Sequence, residues 1–219
     1  AILLHYHKEG TVSAMIMGVI AGVILVTIYT RFFNSYPGMT LPELLQKTTP
    51  KWFYLPFVFS LAILWFVAGL ITLITFTFLL IRYLSPEMPI MQISLTIILS
   101  VIFGCLMKTQ RVLFTTEIIL LITSPLILFI FYKAYTSPNL EWDFVREAAL
   151  YINKIPNWHS FASCFFLFLG VANLFIFNRY FTKKQTFGWK QISLITFIAI
   201  ATLFTTYFIP IGFNGFEDI

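Results

Sequence analysis

The stretch Trp52–Leu84 carries one charged residue, Arg82, and it decides what kind of molecule this chain can be. An α-helix rises about 1.5 Å per residue, so roughly 20 apolar residues cross the ~30 Å hydrocarbon layer of a bilayer. Trp52–Leu84 exceeds that length, so as a helix it must tilt or project beyond the hydrocarbon. Five more apolar stretches have spanning length: Val12–Thr30, Met88–Met107, Val112–Tyr132, His159–Phe181 and Ile192–Ile211. Hydrophobic residues make up 59% of the 219 and charged residues only 11%, against about 25% charged in ordinary soluble domains. One soluble core could not hide so much apolar surface. The expectation is an all-α, polytopic transmembrane helical bundle forming a single domain, with the lipid bilayer as its solvent.

Charge gives orientation. With six spans, the loops after the first, third and fifth lie on one side. They hold Arg31, Lys47, Lys51, Lys108, Arg111, Arg179, Lys183, Lys184 and Lys190. The other side holds Lys8, Arg82, Lys133, Arg146 and Lys154, together with Glu9, Glu87, Glu141, Asp143, Glu147, Glu217 and Asp218. Lys and Arg concentrate in the cytoplasm, so the first side is read as inner. The basic residues are scattered through short loops and form no continuous face, which argues against a nucleic-acid partner.

Two loops carry structure of their own. In Tyr36-Pro37-Gly38-Met39-Thr40-Leu41-Pro42-Glu43, Thr40 and Glu43 have the spacing of a capping box, and Pro42 falls in the first helical turn. This predicts a short amphipathic helix over 41–49, on the inner side. The outer loop, 133–158, is expected to hold a helix from Leu140 to about Ile152, capped by Asn139 or Ser137, with Trp142, Phe144 and Tyr151 at the interface. Ala1–Leu4 reads as the last turn of a helix that starts earlier, which makes the chain an internal fragment. Cys105 and Cys164 fall at different depths and are expected to be unpaired.

The polar residues within the spans are the candidates for chemistry. Glu117 is the one acid inside a span, about 9 Å of helix rise past Arg111, and its cost in hydrocarbon predicts that it faces the bundle interior. It is either a relay or gating group, or a structural hydrogen-bonding residue. Pro125 removes a backbone donor, and Thr123 and Ser124 can satisfy the freed carbonyls. Gly170 and Asn173 interrupt an apolar helix. They mark either close packing, with Ser160 and Ser163 extending a small-residue stripe, or a break that lines a ligand site. Trp65, Gly69, Thr72, Thr75 and Thr77 form a polar seam in the longest span. The sequence holds none of the common hydrolase, metalloprotease or phosphate-loop motifs. His5, His7 and His159 make a poor metal set, no cofactor is implied, and no enzyme is expected.

Three segments carry a family resemblance: Tyr36-Pro37-Gly38-Met39-Thr40-Leu41-Pro42-Glu43-Leu44; Ser85-Pro86-Glu87-Met88-Pro89; and Arg111 with Glu117-Ile118 and Pro125-Leu126. Together they resemble the spore-germination receptor B subunits, or endospore germination permeases, of the amino acid–polyamine–organocation transporter superfamily. The resemblance implies part of a LeuT-like inverted-repeat fold, with this chain covering helices two to seven. It implies a small-molecule germinant held at the discontinuous sixth helix by Leu169, Gly170, Val171, Ala172 and Asn173. Trp65, Gly69 and Thr72 of the third helix would stand nearby, and Glu117 and Pro125 would serve gating or coupling. It also implies A-type and C-type receptor subunits as partners and the spore inner membrane, or the bacterial cell membrane, as location. A proton-coupled amino acid permease and a structural scaffold for partner subunits are the other two expectations.

Overall fold

The computed structural model describes residues 2–6, 9–84, 86–181 and 186–215. The expectations that rest on Ala1, His7, Lys8, Ser85, Lys183, Lys184, Glu217 and Asp218 lie outside the described residues. Every regular element among the described residues is helical. In chain order they are α1 (Ile2–His5), α2 (Thr11–Asn34), α3 (Leu41–Thr48), α4 (Lys51–Tyr83), α5 (Ile90–Leu106), α6 (Thr109–Tyr135), α7 (Trp142–Leu150), α8 (Trp158–Phe166), α9 (Leu174–Phe177) and α10 (Trp189–Asn214). Short 3₁₀ segments lie at Tyr151–Asn153, Leu167–Asn173 and Asn178–Tyr180.

Five of these stretches are long and apolar enough to cross a bilayer: α2, α4, α6, the composite Trp158–Tyr180 and α10. The chain is a multi-pass membrane protein. The sixth expected span differs. Pro89 starts α5 and an extended Met107 ends it, leaving 17 residues, about 26 Å of rise, at the short limit for crossing. In contrast, α4 has 33 residues, about 50 Å, and must tilt or emerge.

The apolar solvent also explains the hydroxyls. Water is not there to pair a buried polar group in hydrocarbon, so each hydroxyl must find a partner within the protein. In α4, Ser60 donates to the Pro56 carbonyl, Thr72 to Ala68, Thr75 to Ile71 and Thr77 to Leu73, all at 2.8–2.9 Å. The polar seam of the longest span is thus satisfied one turn back on its own helix. Pro125 is handled the same way. It cannot donate to the Leu121 carbonyl, and the Ser124 hydroxyl donates to that carbonyl at 3.2 Å instead, while Thr123 donates to Ile119.

The single domain expected from sequence divides into two compact units, residues 1–44 with 128–219, and residues 45–127. In the smaller unit α4 packs on α5, and few side chains are enclosed. In the larger unit two clusters form the core. Val12, Met15, Ala148, Cys164, Leu203, Tyr207 and Ile211 make one, and Val26, Phe168 and Ile192 the other.

The turn Tyr36-Pro37-Gly38-Met39 closes with the Met39 N–H on the Tyr36 carbonyl at 3.3 Å. Gly38 takes φ +79°, the value that the third position of a type II turn requires after a proline. The capping box comes next: the Thr40 N–H donates to Glu43 Oε2 at 2.9 Å and the Glu43 N–H to Thr40 Oγ1 at 3.3 Å. Thr40→Ala is expected to weaken the start of α3 by about 1 kcal/mol, seen as roughly fivefold faster hydrogen exchange at the Glu43 and Leu44 amides.

The outer loop is shorter than expected because α6 continues to Tyr135, held by a Tyr135–Thr205 hydroxyl bond of 3.0 Å and a stack on Trp142. Its helix runs Trp142–Leu150, and neither Asn139 nor Ser137 caps it. Glu141 is the N-cap without a side-chain bond, and its N–H donates to the Gly212 carbonyl at 2.9 Å. Docking on α10 replaces the local cap.

Candidate functional site: an interrupted helix

The stretch read as one span from His159 to Phe181 is not one α-helix. It begins at Asn157, whose side-chain oxygen accepts from the His159 N–H at 2.9 Å. α8 ends at Phe166, and the next seven residues, Leu167–Asn173, are 3₁₀. One α-turn, α9, leads to a second 3₁₀ turn at Asn178–Tyr180. Runs of 3₁₀ longer than about four residues are uncommon, because their hydrogen bonds are poorly aligned, and mid-helix they mark hinges or strain. Gly170 and Asn173, both poor helix formers, sit inside the run.

The run has two faces. Phe168 and Ala172 are buried against α2, while Leu169, Gly170 and Asn173 are exposed and Val171 is intermediate. A methyl group at Gly170 would meet nothing within 4 Å. The expected stripe of Ser160, Ser163 and Gly170 is therefore not the packing seam. Ser160 alone of the three is buried, and its hydroxyl meets that of Thr11 at 3.3 Å.

The seam lies on α2, in residues not among the sequence candidates. Ala14, Gly18, Gly22, Val26 and Thr30 recur every four residues and are all buried. They face Ser160, Cys164 and Phe168. A Cβ at Gly18 would come within 2.7 Å of Cys164 Cβ, and one at Gly22 within 2.2 Å of the Phe168 ring. Gly18-x-x-x-Gly22 is the small-residue pattern that lets membrane helices approach closely, and that signal was available in the sequence.

Both ends of this helix pair are tied. At the Asn157 end, Asn157 Nδ2 donates to Glu9 Oε2 at 2.6 Å, and the Ser13 hydroxyl to the Lys154 carbonyl at 2.8 Å. Gly10 lies against the Ile155 carbonyl at φ +72°, where a side chain would be both strained and blocked. At the other end, Asn178 Nδ2 donates to the Tyr36 and Met39 carbonyls at 2.7 and 2.9 Å. Arg179 approaches Glu43 Oε1 at 3.5 Å. Asn34 and the Phe187 backbone exchange reciprocal bonds of 2.8 and 2.9 Å.

An open groove of about 660 Å³ lies along α8, lined by Leu3, Leu4, His159, Ala162, Phe166 and Thr206 among others. Its walls are mainly apolar, and the His159 ring stacks on Tyr6 at 5.6 Å. Tyr207, one residue from Thr206, is 1% exposed, and among the described residues its hydroxyl finds no hydrogen-bond partner. An unpaired buried hydroxyl costs about 1–3 kcal/mol. Tyr207→Phe is therefore expected to leave stability unchanged or raise it by about 1 kcal/mol in detergent unfolding.

No family model, curated protein or solved structure matches the chain.

The remaining sequence candidates belong to the smaller unit. Gly69 and Thr72 line a groove of about 580 Å³ between α4 and α5, with Phe66, Leu73, Val101 and Cys105. Trp65 is exposed on the same helix. Glu117, expected to face a bundle interior, is exposed within the smaller unit, on a helix with no buried residue. Cys105 is exposed and Cys164 buried, and both are free thiols. No cluster of three metal-ligating side chains occurs among the described residues. The larger unit thus offers a broken helix whose exposed side carries Gly170 and Asn173 among apolar residues.

Proposed function

We propose that the chain is a membrane subunit of a spore nutrient-germinant receptor, built on a transporter-like fold and sensing a small nutrient such as an amino acid or nucleoside. The observation that carries this reading is the seven-residue 3₁₀ interruption Leu167–Asn173. It falls on the positions where the family resemblance implies a discontinuous ligand-binding helix. Broken membrane helices leave backbone groups and small polar residues available to ligands near mid-membrane. Gly170 and Asn173 supply such a face here, and Ala172 supports it from the buried side. Two further observations agree. The Tyr36–Leu44 segment that underlies the resemblance forms a type II turn and a capping box. The chain also divides into two compact units, as a protein that works by moving one helical body against another requires.

In this reading a germinant biases a two-state element through its different affinity for the two states, and A-type and C-type subunits read the change. The nine-residue basic side faces the cytoplasm. The test uses the full-length receptor in spores. Asn173→Leu and Gly170→Leu are expected to abolish or strongly desensitise the germinant response while the protein still accumulates in the membrane. An unchanged dose response for both variants overturns the assignment.

Glu117 supports a second reading, a proton-coupled amino acid permease. A carboxylate on the exposed face of a spanning helix is expensive and is a functional hypothesis in its own right. Substrate uptake into vesicles that collapses with Glu117→Gln would favour it.

A further inference from the structure

Asn178 is 2% exposed, yet it stands one residue from the exposed Arg179. Among the described residues its amide nitrogen donates to the Tyr36 and Met39 carbonyls, which belong to the first and last residues of the type II turn. The turn is itself closed by a bond between those same two residues. One buried side chain therefore locks the turn from outside, and the turn leads directly into the Thr40–Glu43 capping box. The neighbouring Arg179–Glu43 pair is 3.5 Å long with the Arg179 side chain mostly in the open, and such partly exposed ion pairs contribute modestly. The amide is the fastening.

Five residues before Asn178, the interrupted run ends. A 3₁₀ helix rises about 2.0 Å per residue and turns about 120°, against about 1.5 Å and 100° in an α-helix. If Leu167–Asn173 became α-helical, the seven residues would shorten by up to roughly 3.5 Å, drawing the segment beyond Asn173 along the helix axis. The Asn157 end is fixed, because Asn157 and Lys154 are hydrogen-bonded to Glu9 and Ser13 and Gly10 lies against the Ile155 carbonyl. The change must emerge at Asn178. Two hydrogen bonds of 2.7 and 2.9 Å do not survive a displacement of that size.

We infer that Leu167–Asn173 and Asn178 form a mechanical coupling in which the 3₁₀ run is the extended state and Asn178 is the catch. Conversion of the run to α-helix withdraws Asn178 from the turn and frees Tyr36–Met39 and the first turn of α3. The device needs no ligand to operate, so it stands or falls apart from the germinant reading. A ligand or partner that favours either backbone form of the run would set the catch.

The experiment is hydrogen exchange by mass spectrometry on the full chain in nanodiscs without added ligand, read on peptides covering residues 33–44. Asn178→Leu keeps the branched shape and removes the donor, and is expected to speed exchange there about tenfold or more. Arg179→Gln is expected to change it less than about twofold. Gly170→Ala tests the coupling itself. Its methyl enters open space, it favours the α-helix, and it lies remote from the turn. Exchange in 33–44 is expected to rise severalfold in this variant and to return to the native rate when Asn173→Gly is added to restore the non-helical preference. If Gly170→Ala leaves 33–44 unchanged, the coupling is overturned, whether or not Asn178→Leu folds. If Asn178→Leu folds and leaves 33–44 unchanged, the catch is overturned.

Discussion

Gly22→Ala is expected to destabilise the protein by about 2–3 kcal/mol, the cost of overpacking a site that cannot relax. The new methyl carbon would lie 2.2, 2.3 and 2.7 Å from Phe168 Cδ2, Cγ and Cε2, well inside van der Waals contact. Phe168 has little freedom to swing away. It is 3% exposed and packed among Val26 and Ile192, with Val19 and Val171 beside them. Relief therefore requires α2 and the interrupted helix to separate, which forfeits close contacts along the whole seam. Reversible unfolding in mixed detergent micelles measures the loss. Adding Phe168→Leu is expected to recover at least half of it, because the clash is with the ring. Gly69→Ala is the control: its methyl meets nothing within 4 Å, and it should change stability by less than about 1 kcal/mol. A Gly22→Ala variant as stable as the native protein would mean that α2 and the broken helix are not packed at this distance.

The sequence was most legible where one physical rule acts over a short distance. Thr40 and Glu43 announce a capping box because two side chains and two amides satisfy each other within three residues, whatever the rest of the chain does. Pro125 with Ser124 is similar: a missing N–H in hydrocarbon needs a nearby hydroxyl, and one stood beside it. The apolar runs were legible because lipid tolerates nothing else. Legibility failed where partners are distant. Asn139 and Ser137 look like caps, but the N-cap amide of α7 donates to the Gly212 carbonyl, about seventy residues away in sequence and invisible to local reading. Gly170 drew attention as a packing residue because it is a lone glycine in a polar-flecked helix. The glycines that do pack, Gly18 and Gly22, lie in a helix with nothing else to mark it. The pattern between them was readable, although its partner was not. For the broken helix the sequence left both outcomes open, since Gly170 and Asn173 weaken an α-helix without choosing its replacement. The choice of 3₁₀ geometry goes with buried Phe168 and Ala172 on one side and open space at Gly170 on the other.

Glu117→Leu is expected to make membrane insertion of α6 more favourable by about 2–3 kcal/mol, a gain of some 30- to 150-fold in the inserted fraction's ratio. Within the smaller unit the side chain is exposed on α6, and none of the ion pairs among the described residues involves it. A charge in mid-bilayer costs roughly 2.5–3.5 kcal/mol on insertion scales, and leucine returns a few tenths. Glu117 lies about 9 Å beyond Arg111 along the helix, so the full midplane cost is an upper limit. Glycosylation mapping of the Thr109–Tyr135 segment, with and without the substitution, reads the difference. No change would place Glu117 among the headgroups, where a carboxylate is nearly free. A clear gain has a consequence for function. It would mean the native chain retains a destabilising acid in lipid, and the same variant in the full-length protein then separates the two roles. A structural residue replaced by leucine yields a stabler protein with an intact response. A coupling residue yields a stabler protein that no longer responds or transports.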